Sequence, residues 1–64
     1  MTERDALLKV GEVAERVRLS VPTIYELVKK GLFPRQIKIG LSRSFWLESE
    51  IDAWLASRVA ARNE

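Results

Sequence analysis

Across residues 16–46 this 64-residue chain places seven cations, Arg16, Arg18, Lys29, Lys30, Arg35, Lys38 and Arg43, against one acid, Glu26, for a local net charge of +6. Hydroxyl side chains stand among them at Ser20, Thr23, Tyr25 and Ser42. Ammonium, guanidinium and hydroxyl groups at this density suit contact with a polyanion, because they neutralise and hydrogen-bond phosphate oxygens. The flanks have the opposite sign: residues 1–15 and 47–64 each sum to −2, so the overall +2 conceals a basic middle between acidic ends. That pattern is the electrostatic footprint of a polyanion-binding face. The competing reading scatters the same cations over a solvated surface, and it is weakened because the basic block coincides with a two-helix motif.

Other chemistries lack their residues. There is no cysteine and no histidine, which excludes a disulfide framework, the usual zinc sites, and catalysis through a thiol or an imidazole. The carboxylates of Glu50 and Asp52 fall at a predicted helix start, where the helix dipole accounts for them. With no phosphate loop and no nucleophile beside a base, the chain is expected to be no enzyme and to need no metal or cofactor. No apolar run approaches the roughly 20 residues that span a bilayer. The polar start, Met1-Thr2-Glu3-Arg4-Asp5, does not read as a signal peptide. A cytoplasmic, nucleoid-associated location with no membrane partner is therefore expected.

The elements that must hold the cations follow from periodicity and punctuation. Ala6–Val10 is short and apolar, and reads as an edge strand. A first helix is predicted from about Gly11 to Val17, with Val13, Ala14 and Val17 on one face. Ala14 is small, as a close helix crossing requires. A three-residue turn leads to Ser20, whose hydroxyl is suited to cap a second helix. Pro22 sits in that helix's first turn, where its missing N–H costs nothing. Ile24, Leu27 and Val28 form its core stripe. Gly31 stops it, Lys29 and Lys30 complement its dipole, and Phe33-Pro34 forces an extended exit.

A hairpin comes next. Gln36-Ile37-Lys38-Ile39 alternates polar and apolar, Gly40-Leu41-Ser42-Arg43 is the loop, and Ser44-Phe45-Trp46-Leu47 returns. A last helix starts near Ser49 as N-cap and buries Ile51, Trp54 and Leu55, with Val59 as a further candidate for that stripe. The expected fold is thus mainly α with a small β-hairpin, a winged helix-turn-helix. It forms one domain over 1–64, with the helix-turn-helix at about 11–30, the wing at about 36–47 and the C-terminal helix at about 49–62. The second helix is the right size for the DNA major groove, and a wing commonly follows the phosphate backbone or the minor groove.

The chain resembles the AlpA family of small phage-type regulators, within the wider group of MerR-like and excisionase-like winged helix-turn-helix proteins. The resemblance is carried by Glu12-Val13-Ala14, Leu19-Ser20, Thr23-Ile24-Tyr25, Gly31-Leu32-Phe33-Pro34, Lys38-Ile39-Gly40 and Trp46-Leu47-Glu48-Ser49-Glu50-Ile51-Asp52-Ala53-Trp54. These blocks cover nearly the whole chain, and it is their combination that is specific. The resemblance implies binding to DNA upstream of integrase or other mobile-element genes. The implied role is transcriptional regulator, or excisionase (recombination directionality factor) that bends DNA, or both. Two positions depart from the family's pattern. Arg18 stands where the family usually has a turn glycine, at a cost of roughly 1 kcal/mol if that turn needs a positive φ. Ser44-Phe45 replaces what is often a small apolar residue and then a basic or small one, which leaves open whether Phe45 or Trp46 faces the core.

Read from the residues, the expected DNA contacts are Arg18, Ser20, Val21, Thr23, Tyr25, Lys29, Arg35, Lys38, Ser42 and Arg43. Ser20 and Thr23 are short polar groups at the end of the helix that enters the groove, able to reach phosphates. Thr23 can also touch a thymine methyl. Ser20 can equally be a pure cap. Val21 offers an apolar contact to bases. Tyr25 lies off the core stripe and either reaches a phosphate and sugar or packs on the wing. Lys29 reaches backbone from the exposed helix face, and Arg18 and Arg16 add general attraction. Arg35 and Lys38 lie where the wing begins, and Ser42 and Arg43 at its tip, where an arginine suits the minor groove. Glu26 can accept from a cytosine amino group, stand as a tolerated solvent charge, or pair with Lys30 at i+4. An exposed Phe45 would point to a protein contact or a wedge against the duplex.

Six or seven phosphate contacts would make binding strongly salt-dependent. One small module offers only about 600–1,000 Å², so self-association or cooperative binding on repeated sites is expected, with integrase as a further candidate partner. A separate reading makes the same fold a protein-interaction module without DNA binding, working through Phe45 or the last helix.

Overall fold

The computed structural model describes residues 6–41 and 43–62. Its elements in chain order are β1 (Leu7–Leu8), α1 (Val10–Val17), α2 (Val21–Lys29), β2 (Ile37–Ile39), β3 (Arg43–Leu47) and α3 (Glu48–Arg62). Three helices and a small antiparallel sheet make the mainly helical winged helix-turn-helix that the sequence predicts.

α1 starts one residue earlier than expected, because the Glu12 carboxylate reaches back to accept the Lys9 backbone N–H at 2.8 Å. That bond satisfies an end group of the helix and fixes Val10 as its first residue. The helix closes on Arg18, which adopts the left-handed conformation (φ 61°, ψ 38°). Its N–H donates to Ala14 O at 2.8 Å, and the Leu19 N–H shares the same acceptor at 3.2 Å. The turn therefore does need a positive φ. α2 opens on Ser20 as the sequence predicts, with Pro22 in its first turn. It ends in a Schellman motif: the Leu32 N–H donates to Leu27 O at 2.9 Å and the Gly31 N–H to Val28 O at 3.0 Å. Gly31 takes φ 76°, which glycine adopts without strain.

The sheet runs in the order β1-β3-β2, so the returning wing strand is central. Leu8 lies opposite Trp46, and Lys38 opposite Ser44. Strand alternation puts Leu8, Trp46, Ser44 and Lys38 on one face. That face is the inner one, since Trp46 is wholly buried and Leu8 nearly so. Trp46, not Phe45, is the aromatic of the core. Its indole N–H donates to Pro34 O at 2.8 Å, which satisfies the polar end of the ring.

Around Trp46 the core gathers Val13 and Val17 of α1, Ile24 of α2, Phe33 of the connecting segment and Ile51 of α3. Phe33 links the two tryptophans, with its ring 6.5 Å from Trp46 and 4.7 Å from Trp54. Trp54 in turn donates its indole N–H to Leu32 O at 2.9 Å. α3 follows β3 without a break and begins at Glu48 rather than Ser49. The Glu48 N–H donates to Ala6 O at 2.9 Å, so one residue both ends the sheet ladder and starts the helix. Only the first turns of α3 reach the core. Residues from Ala56 to Ala61 are exposed, and Val59, 59% exposed, does not join the buried stripe.

Candidate nucleic-acid interface

The start of α2 carries two hydroxyls in one small network. Ser20 Oγ accepts the Thr23 N–H at 3.3 Å, and the two hydroxyl oxygens lie 2.8 Å apart. One of the two hydroxyl protons is consumed between them. The other remains able to donate outward, whichever residue holds it, so capping and an external contact are compatible. Both residues are exposed. Val21 beside them is half-buried, while Pro22, Thr23, Glu26 and Lys29 continue the open face of the helix.

Ion pairing sorts the cations into two groups. Arg16 turns away from α2 and bridges to α3, at 2.9 Å from Glu48 and 3.8 Å from Asp52. Lys30 pairs with Glu26 at 3.7 Å, as the i+4 spacing predicts, which gives that carboxylate a partner on its own helix. Arg58 lies over the Trp54 ring, 5.7 Å from its centroid. Arg18, Lys29, Arg35, Lys38 and Arg43 are all exposed, and among the described residues none of the five makes an ion pair. These five are the cations expected at the interface from sequence.

The fold brings several of them together. Lys29 of α2 and Arg35 and Lys38 at the beginning of the hairpin line one groove, with Val28 and Gln36. A second groove is lined by Tyr25, Arg43, Ser44 and Phe45 together with Lys9 and Val10. Both grooves lie between α2 and the hairpin, and each carries cations of the expected set. Arg18 stands apart, in the turn before α2. Ser42 lies outside the described residues.

Tyr25 packs on the wing: its ring centroid is 6.1 Å from that of Trp46, while the residue stays 39% exposed. It is both a wall of the core and part of the open surface. Phe45 is half-buried and flanks the same groove, so it is not the freely exposed aromatic that a wedge would need. Lys9 was not among the expected contacts, because charge counting placed it in the acidic first segment. The fold sets it beside Arg43 and Tyr25, and among the described residues its ammonium makes no ion pair.

Among the described residues no group of acidic side chains could hold a metal ion, and no helix is long and apolar enough to cross a membrane. The family model described as Prophage CP4-57 regulatory protein (AlpA) matches residues 6–59. A protein of Enterobacteria phage P4, described as Uncharacterized protein ORF88, is 46% identical over 59 residues, which is 92% of this chain and 67% of that protein. No solved structure matches significantly.

Proposed function

This chain belongs to the AlpA family of prophage regulatory proteins, and on that premise we propose that it binds double-stranded DNA in a sequence-specific way to regulate genes of a prophage or related mobile element. In this reading α2 lies in the major groove. Ser20, Val21 and Thr23 enter first, and Tyr25 and Lys29 follow along the groove wall. Arg18, Arg35 and Lys38 hold the phosphate backbone, and Arg43 reaches toward the minor groove.

The observation that carries the proposal is the split among the cations. Of the described cations outside the proposed contact set, Arg16, Lys30 and Arg58 each have a partner, while Lys9, which lines the groove of Arg43 and Tyr25, makes no ion pair. Arg18, Lys29, Arg35, Lys38 and Arg43 have no ion-pair partner among the described residues. Keeping like charges close without counter-charge is unfavourable for the fold by itself and favourable for a phosphate ligand.

A module of this size covers only about 600–1,000 Å² of DNA, so occupancy of its site is expected to be cooperative between copies on repeated half-sites. Transcriptional control and the directing of recombination use the same contacts, and the bend imposed on the duplex separates them.

The test is fluorescence anisotropy with the DNA flanking the gene and a scrambled duplex, each at two salt concentrations. Tight, salt-sensitive binding to the native duplex alone is expected. Equal binding to both, or binding to neither, would overturn the proposal and favour a protein-interaction module.

A further inference from the structure

We propose that Leu41, at the tip of the β2–β3 hairpin, is an apolar wedge that inserts into a base step of the minor groove and kinks the duplex. The inference rests on the DNA-binding reading and adds to it a residue and a mechanical role.

Leu41 is 101% exposed, so its whole side chain stands in water and packs on nothing. Hairpin tips favour Gly, Asn, Asp, Ser and Pro, whose side chains or backbone freedom serve the turn. Here Gly40 supplies the positive φ, 74°, that the turn requires. Leucine beside it contributes nothing to the turn and nothing to the core. A residue that breaks the local rule without a return in stability is where function is expected.

Its surroundings narrow the partner. Lys38 precedes the tip on β2 and Arg43 follows it on β3, both exposed and without an ion pair among the described residues. An apolar protein surface docking on the tip would have to desolvate those two charges. A duplex would neutralise Lys38 on a phosphate and draw Arg43 into the negative potential of the minor groove that the tip enters. Both cations also line grooves that α2 shares, Lys38 with Lys29 and Arg43 with Tyr25, which sets the base of the hairpin beside the proposed major-groove helix. A leucine placed in this way is one of the side chains that unstack a base step and bend DNA by about 20–90°. Phe45 cannot take that role, because it is half-buried in the middle of β3.

The probe is a duplex selected by the native chain from a random-sequence pool, with 2-aminopurine placed at successive adenines. Unstacking is read as a rise in 2-aminopurine fluorescence, and bending from circularly permuted fragments on a gel. The native chain is expected to raise fluorescence at one step and bend the fragment. Leu41→Ser is expected to bind within about tenfold, since the lost contact is offset by a step left stacked, and to lose both signals. Leu41→Phe is expected to keep both. The side chain touches no other residue, so melting of the variants is expected to match the native chain. Leu41→Ser complexes with native fluorescence and bend, or native complexes with no unstacked step, would overturn the wedge and leave DNA binding standing. Failure of the native chain to select any duplex would overturn the DNA-binding reading itself.

Discussion

Replacing Arg18 by glycine should make the protein more stable and a weaker DNA binder at once. Arg18 holds φ 61° and ψ 38° at the end of α1, with its N–H committed to Ala14 O at 2.8 Å. In that conformation a side chain with a Cβ crowds the neighbouring carbonyl, at a cost of about 1–2 kcal/mol. Glycine removes the crowding but frees the unfolded chain, which returns about 0.4–1 kcal/mol. The net gain for Arg18→Gly is roughly 0.5–1 kcal/mol. In so small a domain that corresponds to a melting temperature higher by about 2–8 °C. Arg18→Ala separates the two effects, because it loses the same charge and keeps the strained φ. Thermal melts by circular dichroism should rank glycine above arginine, with alanine no more stable than arginine. Both variants should lose about 0.9 from the slope of log K against log salt, as one phosphate contact disappears. Equal melting of the glycine and alanine variants would refute the strain argument.

Three further expectations concern the cap, the core and the cations. Ser20→Ala should lower stability by about 1 kcal/mol in urea titrations, and Ser20→Gly by only a few tenths; equal losses would contradict the capping role. Trp46→Ala empties a wholly buried site and should cost about 3–5 kcal/mol, a large part of the stability available to a domain this small. Its circular dichroism spectrum should show lost helix, and a fully folded variant would contradict the account of the core. With Arg18, Lys29, Arg35 and Lys38 on phosphates, the salt slope of binding should be about −3.6. Lys38→Gln should reduce it by about 0.9, whereas Arg16→Gln, which removes a cation paired to α3, should leave it unchanged. Equal effects of the two variants would refute the division between paired and unpaired cations.

Much of the fold was legible because it rests on local rules. The stripe of Ile24, Leu27 and Val28, the Ser20 cap and the Gly31 stop are each set within one or two turns of chain, and each stands where those rules place it. What escaped depends on contacts between distant segments. The aromatic pair Phe45-Trp46 obeys strand alternation either way, and only the register of β3 against Leu8 decides which ring is inside. Val59 has the spacing of a core residue, but α3 has already left the core by that turn. Helix starts moved by one residue where a distant or backbone partner intervened, Glu12 for Lys9 and Ala6 for Glu48.

The candidate site was legible in the same uneven way. The basic block contains Arg18, Lys29, Arg35, Lys38 and Arg43, none of which makes an ion pair among the described residues. It did not separate them from Arg16, whose partners lie more than thirty residues further along the chain. Lys9 was hidden because its acidic neighbours in sequence are not its neighbours in space. Leu41 was hidden because a leucine inside a loop reads as an apolar residue without a destination, and only its complete exposure gives it one.

The most direct test of the central claim is an amide chemical-shift map of the ¹⁵N-labelled chain, titrated with the duplex it selects from a random pool. The account predicts that shifts concentrate in residues 18–29 and in the hairpin from Arg35 to Ser44, while residues 56–61 of α3 stay in place. Shifts centred on α3, or no saturable shifts at all, would contradict it.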